Sequence, residues 1–230
     1  ANRERLEREH ETCIVVSSPE VVQIADDKYE TFRFMTRHGF APPDTELPGR
    51  QLALAARVGY PLIVKPRIGA RSVGLRLVRN EAELERAVVE GGDVVIQEHV
   101  GTPDTEYTAG TLTFEGRCEA SIVMRRDLRD GNTYRAFVAP FEALNVAVRK
   151  MAVALGAFGP ANFQFRLDPS GRPRVFEING RFSGTTPLRM HAGFNEVEMV
   201  LRHVLLGEPV RQPAKFSRRP HFRGIVGRGL

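Results

Sequence analysis

The sequence predicts an α+β protein, with antiparallel sheets that carry helices on their faces. From residue 105 to 139, three β-rich runs follow one another, with turn residues at Glu115-Gly116 and Asp130-Gly131. Amphipathic segments with helical spacing lie before and after these runs. The 230 residues are 42% hydrophobic and 27% charged, which provides a core for one large domain or two modest ones.

The first half of the chain predicts alternating short strands and helices. An apolar strand is expected at Cys13–Val16, and a helix from about Asp26 to His38, with Asp26 as its N-cap and Gly39 as its end. Between about residues 41 and 97 the pattern predicts a small α/β unit. Its elements are the helices Leu52–Val58 and Glu81–Val89 and the strands Tyr60–Val64, Leu75–Val78 and Val94–Gln97.

The second half predicts a larger sheet with two amphipathic helices. Its predicted strands are Glu106–Phe114, Arg117–Met124, Tyr134–Val138, Ala161–Arg166 and Arg174–Ile178, and its predicted helices are Phe141–Leu155 and Asn195–Leu206.

Charge and cysteine usage narrow the class of protein. The formal net charge of +5 suits nucleic acid or an anionic small molecule. With no Trp, 4 Tyr and 14 Phe, few aromatic rings are available for base stacking, so nucleic acid is the less favoured partner. No apolar run approaches ~20 residues, which argues against a membrane span. Cys13 and Cys118 fit no metal-binding spacing. They allow one disulfide but favour two buried free thiols in a reducing cytosol, so we expect a cytoplasmic protein.

A turn that contains glycine and serine joins two predicted strands between Lys65 and Gly74. Glycine lets backbone N–H groups approach phosphate oxygens closely, and Lys65 would add a positive charge at the strand end. The spacing matches neither GxGxxG nor GxxxxGK[ST]. The turn therefore predicts phosphate binding or, alternatively, a plain hairpin with exposed basic residues.

Oxygen-bearing side chains share one face of two neighbouring predicted strands. Residues two apart in a strand point the same way, so Glu177 and Asn179 share a face, and Gln164 lies on the preceding strand. Such oxygens suit Mg²⁺, which also binds phosphate oxygens. Arg181 would supply the positive charge that phosphoryl transfer needs. The alternative is the solvated face of an antiparallel pair.

The apolar strand at Val94–Gln97 ends in polar residues. Backbone groups there could bind the edge of an adenine ring, and the carboxylate of Glu106 could bind the ribose hydroxyls. Apolar strands that end in Gln-Glu are common, so this pattern predicts little by itself.

Taken in order, these motifs resemble the ATP-grasp superfamily, and within it the carbamoyl-phosphate-synthase-like and carboxylate–amine ligase branch. The resemblance covers about residues 20 to 206. The motifs that carry it are DK at 27–28, GYPLIVKPRIGARSVG at 59–74, VIQEHV and EYT within 95–108, and NFQF and VFEINGRFSG within 162–184.

The resemblance implies an ATP-grasp fold, in which two α+β subdomains grip ATP between antiparallel sheets. The residues implied to bind ATP are Lys28 and Lys65 at the phosphates, Ser72 and Gly74 in a lid over them, Gln97, Glu98 and Val100 at the adenine, and Glu106 at the ribose.

The resemblance also implies two Mg²⁺ ions, for which Mn²⁺ could substitute. Gln164, Glu177 and Asn179 would hold them, with Glu177 bridging both. Lys65 and Arg181 are the implied catalytic residues, and Arg181 would steady the transferred phosphoryl group. The first implied metal ligand is the neutral Gln164 instead of a carboxylate, as in the carbamoyl-phosphate-synthase branch.

The domain organisation follows from the same resemblance. The expected segments are 1–25 as the end of a preceding Rossmann-like domain that is mostly absent from this sequence, 26–40 as a core helix, 41–97 as a small lid subdomain, and 98–230 as a large subdomain with the metal site.

The implied activity is the ATP-dependent ligation of a small-molecule carboxylate to an amine through an acyl-phosphate. One alternative is phosphorylation of bicarbonate or carbamate, as in carbamoyl-phosphate synthases. Another is a nucleotide-binding module without catalysis, which Arg71 in the lid would favour. The expected partners are small molecules and, in a homodimer, a second copy of the chain; a membrane and nucleic acid are not expected.

Three arginines near the expected cleft allow two interpretations. Arg125, Arg126 and Arg135 lie on or beside strands that would face the nucleotide, where a guanidinium group can bind a carboxylate bidentately. Equally, they could be solvated arginines on the sheet. The segment Phe182–Thr186 follows the expected metal strand and is a candidate border of the substrate pocket.

Overall fold

The fold is taken from a computed structural model, which describes residues 2–69, 73–217 and 221–222. The helices are α1 (Arg3–His10), α2 (Pro19–Asp26), α3 (Lys28–Arg37), α4 (Gln51–Val58), α5 (Glu81–Gly91), α6 (Glu142–Leu155), α7 (Thr186–His191) and α8 (Glu196–Leu206). The strands are β1 (Thr45–Glu46), β2 (Leu62–Pro66), β3 (Arg76–Val78), β4 (Val94–Glu98), β5 (Glu106–Phe114), β6 (Arg117–Arg129), β7 (Asn132–Val138), β8 (Gly159–Leu167), β9 (Pro173–Asn179) and β10 (His221–Phe222).

These strands form two antiparallel sheets. The small sheet has the order β1-β4-β2-β3, and the large sheet has the order β10-β7-β6-β5-β8-β9. The described strand pairs are all antiparallel, which confirms the predicted α+β class. Among the described residues, the helices are too short or too polar for any of them to cross a membrane.

The small sheet buries one face under α4 and α5. Leu62 and Val64 alternate along β2, so their side chains share this face with Ile96 of β4. Leu54 of α4 and Leu84 of α5 pack onto them and are fully buried. The residues between them on the same strands point the other way, toward the large sheet.

The large sheet has helices on both faces. On one face, α2, α3 and α6 enclose a core that includes Phe34, Met151 and Phe163. On the other face, α7 and α8 cover only part of the sheet, where Leu112 and Phe194 are buried. The part of this second face that the helices leave uncovered is turned toward the small sheet.

Strand β5 shows how a polar site forms beside an apolar core. Every residue of β5 is buried, and its even-numbered side chains point to one face. At the end of the strand these are the apolar Leu112 and Phe114, whereas at its beginning they are the polar Glu106 and Thr108. The polar beginning of β5 therefore lies outside the apolar core and borders a cavity.

The strand predicted at Cys13–Val16 is wrong: residues 11–18 connect α1 to α2 without regular structure. Side chains of α1 bind this backbone instead of a neighbouring strand. Glu7 accepts a hydrogen bond from the Ile14 N–H at 2.9 Å, and Arg3 donates to the Val16 carbonyl at 3.1 Å. Cys13 is exposed here, so the expectation of two buried thiols holds only for Cys118.

The helix predicted from Asp26 begins at Lys28, with its N-cap one residue later than expected, and is preceded by a second helix that was not predicted. Asp27 is extended, and its carboxylate accepts hydrogen bonds from the N–H groups of Tyr29 and Glu30, so it caps α3 in place of Asp26. Ser18 caps the additional helix α2 in the same way. Two polar caps nine residues apart thus begin two short helices, of which only α3 was predicted.

Candidate functional site

A cavity of about 330 Å³ lies between the two sheets. Both sheets line it, and so does nearly every described residue that the sequence singled out. These lining residues are Lys28, Lys65, Gln97, Glu98, Val100, Glu106, Gln164, Glu177, Asn179 and Arg181. Gly74 packs against Pro66 and is not part of this lining, while Ser72, like Arg71, lies outside the described residues.

Lys65 is buried at the centre of the cavity wall. It follows Val64, which faces the core of the small sheet, so its side chain points toward the large sheet. Its ammonium group donates to Gln97 Oε1 at 2.7 Å and lies 5.4 Å from the centre of the Phe176 ring. Burial lowers the pKa of Lys65 from 10.5 to about 7, although the nearby Glu177 carboxylate opposes this shift. Both the protonated and the neutral form of Lys65 are therefore populated near neutral pH.

Lys28 is a second buried lysine, held at the beginning of α3 by the cap at Asp27. Its ammonium group donates to the carbonyl oxygen of Gly69 at 2.9 Å. Burial lowers the pKa of Lys28, and the charge of Glu177 again opposes the shift. The two lysines thus bring positive charge to one cavity, with Glu177 as the negative group that both sense.

The three predicted metal ligands lie together on β8 and β9. Gln164 is opposite Glu177 in the antiparallel register, and Asn162 is opposite Asn179. One carboxylate oxygen, Glu177 Oε1, accepts hydrogen bonds from Asn179 Nδ2 at 2.9 Å and from Gln164 Nε2 at 3.1 Å. The side-chain amides therefore orient the carboxylate.

A bulge in β9 adds a neighbour that the sequence pattern did not predict. Gln164 pairs with Glu177 but Phe165 pairs with Val175, so Phe176 is the extra residue on its strand. Consecutive residues of a regular strand point to opposite faces. The bulge instead lets Phe176 and Glu177 both line the cavity.

The residues expected at the adenine are already bound by protein groups. The side chain of Gln97 accepts from Lys65 and donates to Thr45 Oγ1 at 2.9 Å. The carboxylate of Glu98 accepts from Arg174 Nη2 at 2.6 Å and from the Asp44 N–H at 3.0 Å. Val100 also lines the cavity at this strand end, and its carbonyl oxygen accepts from Arg166 Nη1 at 3.3 Å.

Glu106, expected at the ribose, is buried between two arginines. Its carboxylate accepts from Arg126 Nη2 at 2.8 Å and from Arg166 Nε at 2.9 Å. Both arginines line the cavity. The sequence left the role of Arg126 open, and the structure brings it inside. Arg125 is turned to the other face, where it pairs with Asp127.

The segment that follows β9 borders the cavity, as the sequence suggested. Arg181 is exposed at the cavity edge, and Ser183 and Thr185 line the wall beyond it. The role of Arg181 at a phosphoryl group remains a prediction, because its guanidinium group contacts only the Phe182 carbonyl, at 3.0 Å, among the hydrogen bonds in the described part of the chain.

Arg189 of α7 donates hydrogen bonds to the side chains of this wall, and the sequence analysis did not single it out. Its guanidinium group donates to Thr185 Oγ1 at 2.6 Å, to Ser183 Oγ at 2.9 Å and to Asn162 Oδ1. It also pairs with Glu196 at 2.7 Å. A β-carbon at position 110 would lie 2.8 Å from this guanidinium group, so Gly110 in β5 leaves room for Arg189. This glycine is a local sequence feature that could have indicated the close approach.

Comparison with known proteins identifies the families that this sequence matches. Residues 93–223 match the family described as ATP-grasp in the biosynthetic pathway with Ter operon. Residues 23–96 match the ATP binding domain of the carbamoyl-phosphate synthase L chain.

The D-alanine–D-alanine ligase of Laribacter hongkongensis is 28% identical over 177 residues, which cover 68% of this chain and 56% of that protein. The N-terminal section of the carbamoyl phosphate synthase large chain of Methanopyrus kandleri is 26% identical over 221 residues, covering 86% and 39%.

A solved structure agrees at the level of the fold. The biotin carboxylase domain dimer of 2-oxoglutarate carboxylase from Hydrogenobacter thermophilus, in complex with MgADP, ADP and bicarbonate, has a TM-score of 0.73 at 22% identity. The match covers 96% of this chain and 53% of that one, so the chain spans about half the length of this structure, as it does of the D-alanine ligase. From the matched families, the relatives and the shared fold together, we conclude that the chain belongs to the ATP-grasp superfamily, in the branch of carbamoyl-phosphate synthases and carboxylate–amine ligases.

Proposed function

We propose that this chain is the ATP-binding part of an ATP- and Mg²⁺-dependent ligase that activates a carboxylate for attack by an amine. One observation carries the proposal: two buried lysines and an amide-oriented carboxylate, Lys28, Lys65 and Glu177, meet in a single cavity between two sheets. Buried positive charge that lacks the shielding of water binds phosphate oxygens strongly. The carboxylate beside it suits a cation that arrives with the phosphates.

The donors present fit magnesium. Mg²⁺ is bound in proteins by one or two carboxylates together with waters and substrate phosphates. Glu177 supplies a carboxylate, and Asn179 supplies an amide oxygen next to it. When bound, the ion would supply positive charge against the phosphate oxygens. The remaining work falls to the chain's own residues: Lys28 and Lys65 hold the phosphates, and Arg181 orients the phosphoryl group at the open edge.

The proposed reaction balances without a protein nucleophile. A carboxylate oxygen of the substrate attacks the γ-phosphorus, the bond to the ADP oxygen breaks, and an acyl-phosphate forms. The amine nitrogen then attacks the acyl carbon, the C–O bond to phosphate breaks, and the amine gives up a proton to water. Positioning and charge neutralisation are the main contributions of such a site. We place this reaction in the cytoplasm, in keeping with the two free cysteines.

A second candidate is the phosphorylation of bicarbonate or carbamate. It is favoured by the match of residues 23–96 to carbamoyl-phosphate synthases, and by the neutral Gln164 on β8. With bicarbonate, the acyl-phosphate is carboxyphosphate, which the amine attacks with loss of phosphate as above. With carbamate, it is carbamoyl phosphate, and the reaction ends at phosphoryl transfer. A screen for ADP release with amino acids, amines and bicarbonate separates the two candidates.

Calorimetric titration of ATP tests the proposed function. Into the wild-type chain, we expect ATP to bind more tightly with Mg²⁺ than with EDTA, and Glu177→Ala to abolish this difference. The matched control is Glu198→Ala, which removes an exposed carboxylate on α8 whose partner is Arg202 and which lies outside the cavity. Metal-dependent binding that survives Glu177→Ala would contradict the site, and a wild-type chain that binds no nucleotide would contradict the function.

A further inference from the structure

Arg126 lies where it can act as a built-in cation beside the candidate metal site. It is 6% exposed, and it reaches the cavity from β6. One of its nitrogens, Nη2, donates both to Glu106 Oε1 at 2.8 Å and to Gln164 Oε1 at 2.7 Å. Gln164 in turn donates to Glu177 at 3.1 Å. A chain of hydrogen bonds thus runs from a buried guanidinium group through Gln164 to the candidate metal carboxylate.

The carboxylates of the cavity differ in what neutralises them. Among the described residues, three carboxylates line it: Glu98, Glu106 and Glu177. Arg174 pairs with Glu98, and both Arg126 and Arg166 pair with Glu106. Glu177 accepts hydrogen bonds from neutral amides. Within the described residues, it is therefore the one cavity carboxylate whose charge no arginine compensates.

The described residues around the cavity offer few side chains that could bind more than one metal ion. No group of three or more His, Cys, Asp or Glu side chains that could hold a metal is found in the described part of the chain. One carboxylate is enough for one Mg²⁺ that shares phosphate oxygens. A second divalent ion would have to rely on the amide oxygen of Gln164.

That oxygen already accepts from Arg126. A divalent cation bound to Gln164 Oε1 would lie next to a buried guanidinium group that cannot lose its proton. The cation and the guanidinium group would share one oxygen atom, and two positive charges that close repel strongly where water is excluded. On the Asn179 side of Glu177, none of the described arginines pairs with the carboxylate, so a cation bound there avoids the Arg126 guanidinium group.

We propose that Arg126 takes the place of one divalent cation, so that the nucleotide complex of this chain holds a single Mg²⁺ at Glu177 and Asn179. This count of one replaces the two ions expected from the sequence, and it rests on the proposed function, because it requires that the cavity binds a nucleoside triphosphate. Gln164 then acts as a positioning residue that links the guanidinium group to Glu177, instead of as a metal ligand.

Counting bound Mn²⁺ tests the proposal. The full chain is saturated with a non-hydrolysable ATP analogue, and bound Mn²⁺ per bound nucleotide is measured by equilibrium dialysis and electron paramagnetic resonance. The wild-type complex should hold one Mn²⁺, with the spectrum of an isolated ion. Two Mn²⁺ per nucleotide, with the broadened signal of a coupled pair, would overturn the proposal.

Variants provide the complementary test. The double substitution Arg126→Met with Gln164→Glu removes the fixed cation and adds a carboxylate, so the count should rise from one to two. Arg126→Lys, which keeps the charge, should stay at one. The matched control is Arg125→Met, the next residue on β6, which pairs with Asp127 at 2.7 Å on the other face and should also stay at one. Glu106 keeps Arg166 in all of these variants.

The outcomes separate this inference from the proposed function. A double variant that is folded by circular dichroism, binds the analogue and still holds one Mn²⁺ would overturn the role of Arg126 while leaving the ATP site intact. If the double variant fails to fold, the wild-type and Arg126→Lys counts decide. If the wild-type chain binds no analogue, the proposed function fails, and the inference fails with it.

Discussion

Lys65 illustrates how burial sets the chemistry of a single side chain. Because burial lowers its pKa to about 7, about half of its population is neutral at pH 7 in the absence of a ligand. If a triphosphate binds at Lys65 as proposed above, it binds the protonated form and raises the pKa again. Binding of a nucleotide would then be coupled to the uptake of a proton.

This coupling predicts a pH-dependent affinity. As the pH rises from 7 to 8.5, the protonated fraction of Lys65 falls, so the affinity for MgATP should fall by about tenfold. Lys65→Arg keeps its charge throughout this range and should show a flat profile, even if its affinity is lower. Titrations in buffers of different ionisation enthalpy measure the proton directly, and an affinity of the wild-type chain that is independent of pH would contradict the prediction.

The pair of Arg189 and Glu196 is a second case in which one residue depends on another. Both side chains are 1% exposed, and Glu196 also accepts a hydrogen bond from Thr186. Removing one partner of a buried ion pair leaves the other charge uncompensated. The pair therefore holds Asn162 and the cavity wall in place only while both charges are present.

Glu196→Gln should lower the free energy of unfolding by about 3 kcal/mol, measured in urea at pH 7. The control Glu198→Gln breaks an exposed pair with Arg202, 2.9 Å long on the same helix, and should cost less than about 0.5 kcal/mol. Equal losses in the two variants would show that Arg189 does not depend on Glu196.

At the scale of elements, the beginning of α3 is fastened by one carboxylate. Asp27 caps the helix and also pairs with Arg67 Nη2 at 2.7 Å. Burial alone would raise the pKa of Asp27, but the hydrogen bonds from Arg67 and from two backbone N–H groups lower it overall. This cap also fixes Lys28, the first residue of the helix, at the cavity.

The cap and the ion pair can be separated by substitution. Asp27→Asn keeps the capping oxygen and loses the ion pair, so it should cost about 1 kcal/mol at pH 7, whereas Asp27→Ala loses both and should cost about 2 kcal/mol or more. Because the pKa of Asp27 is lowered on folding, its contribution is fully present above pH 3.8 and is lost as the pH falls through the lowered value. The difference between wild type and Asp27→Asn in urea unfolding should therefore shrink below pH 3.8; a constant difference would contradict it.

At the scale of the whole molecule, polar contacts join the two sheets beside the cavity. Arg174 of β9 donates to Glu98 of β4 at 2.6 Å and to the Pro42 carbonyl at 2.9 Å. Lys65 of β2 donates to the Phe176 carbonyl of β9 at 3.4 Å. These contacts hold the sheets together at the edge where the nucleotide is proposed to bind.

Arg174→Met should loosen the contact between the sheets. We expect faster amide hydrogen exchange in β4 and a several-fold weaker affinity for MgATP, because Glu98 is left without its arginine partner. Arg172→Met is the matched control: it lies on the same hairpin and pairs with Asp168, but its side chain is 68% exposed. Unchanged exchange in β4 of Arg174→Met would show that this contact does not hold the sheets together.

The sequence was most informative where a local pattern decides the structure. Alternating apolar residues located most strands, and the spacing of Glu177 and Asn179 placed both at one cavity. It was least informative where two signals compete over few residues. The helix that Ser18 caps was not predicted, the cap of α3 is Asp27 instead of its neighbour Asp26, and short elements such as β1 and α7 have too few residues to show a period.

By itself, the sequence determined the α+β class, the order of the motifs and the residue types available for phosphate and metal, because these depend on neighbours in the chain. Only the tertiary structure decided which charges meet. Arg126 reaches Glu106 across 20 residues of sequence and Gln164 across 38, and Arg174 reaches Glu98 across 76. A local pattern shows which side of a strand is buried, but the residue opposite is set by how the strands pair and how the sheets pack. For that reason the same sequence that predicted the ligands Gln164 and Glu177 left open the arginine that lies beside them.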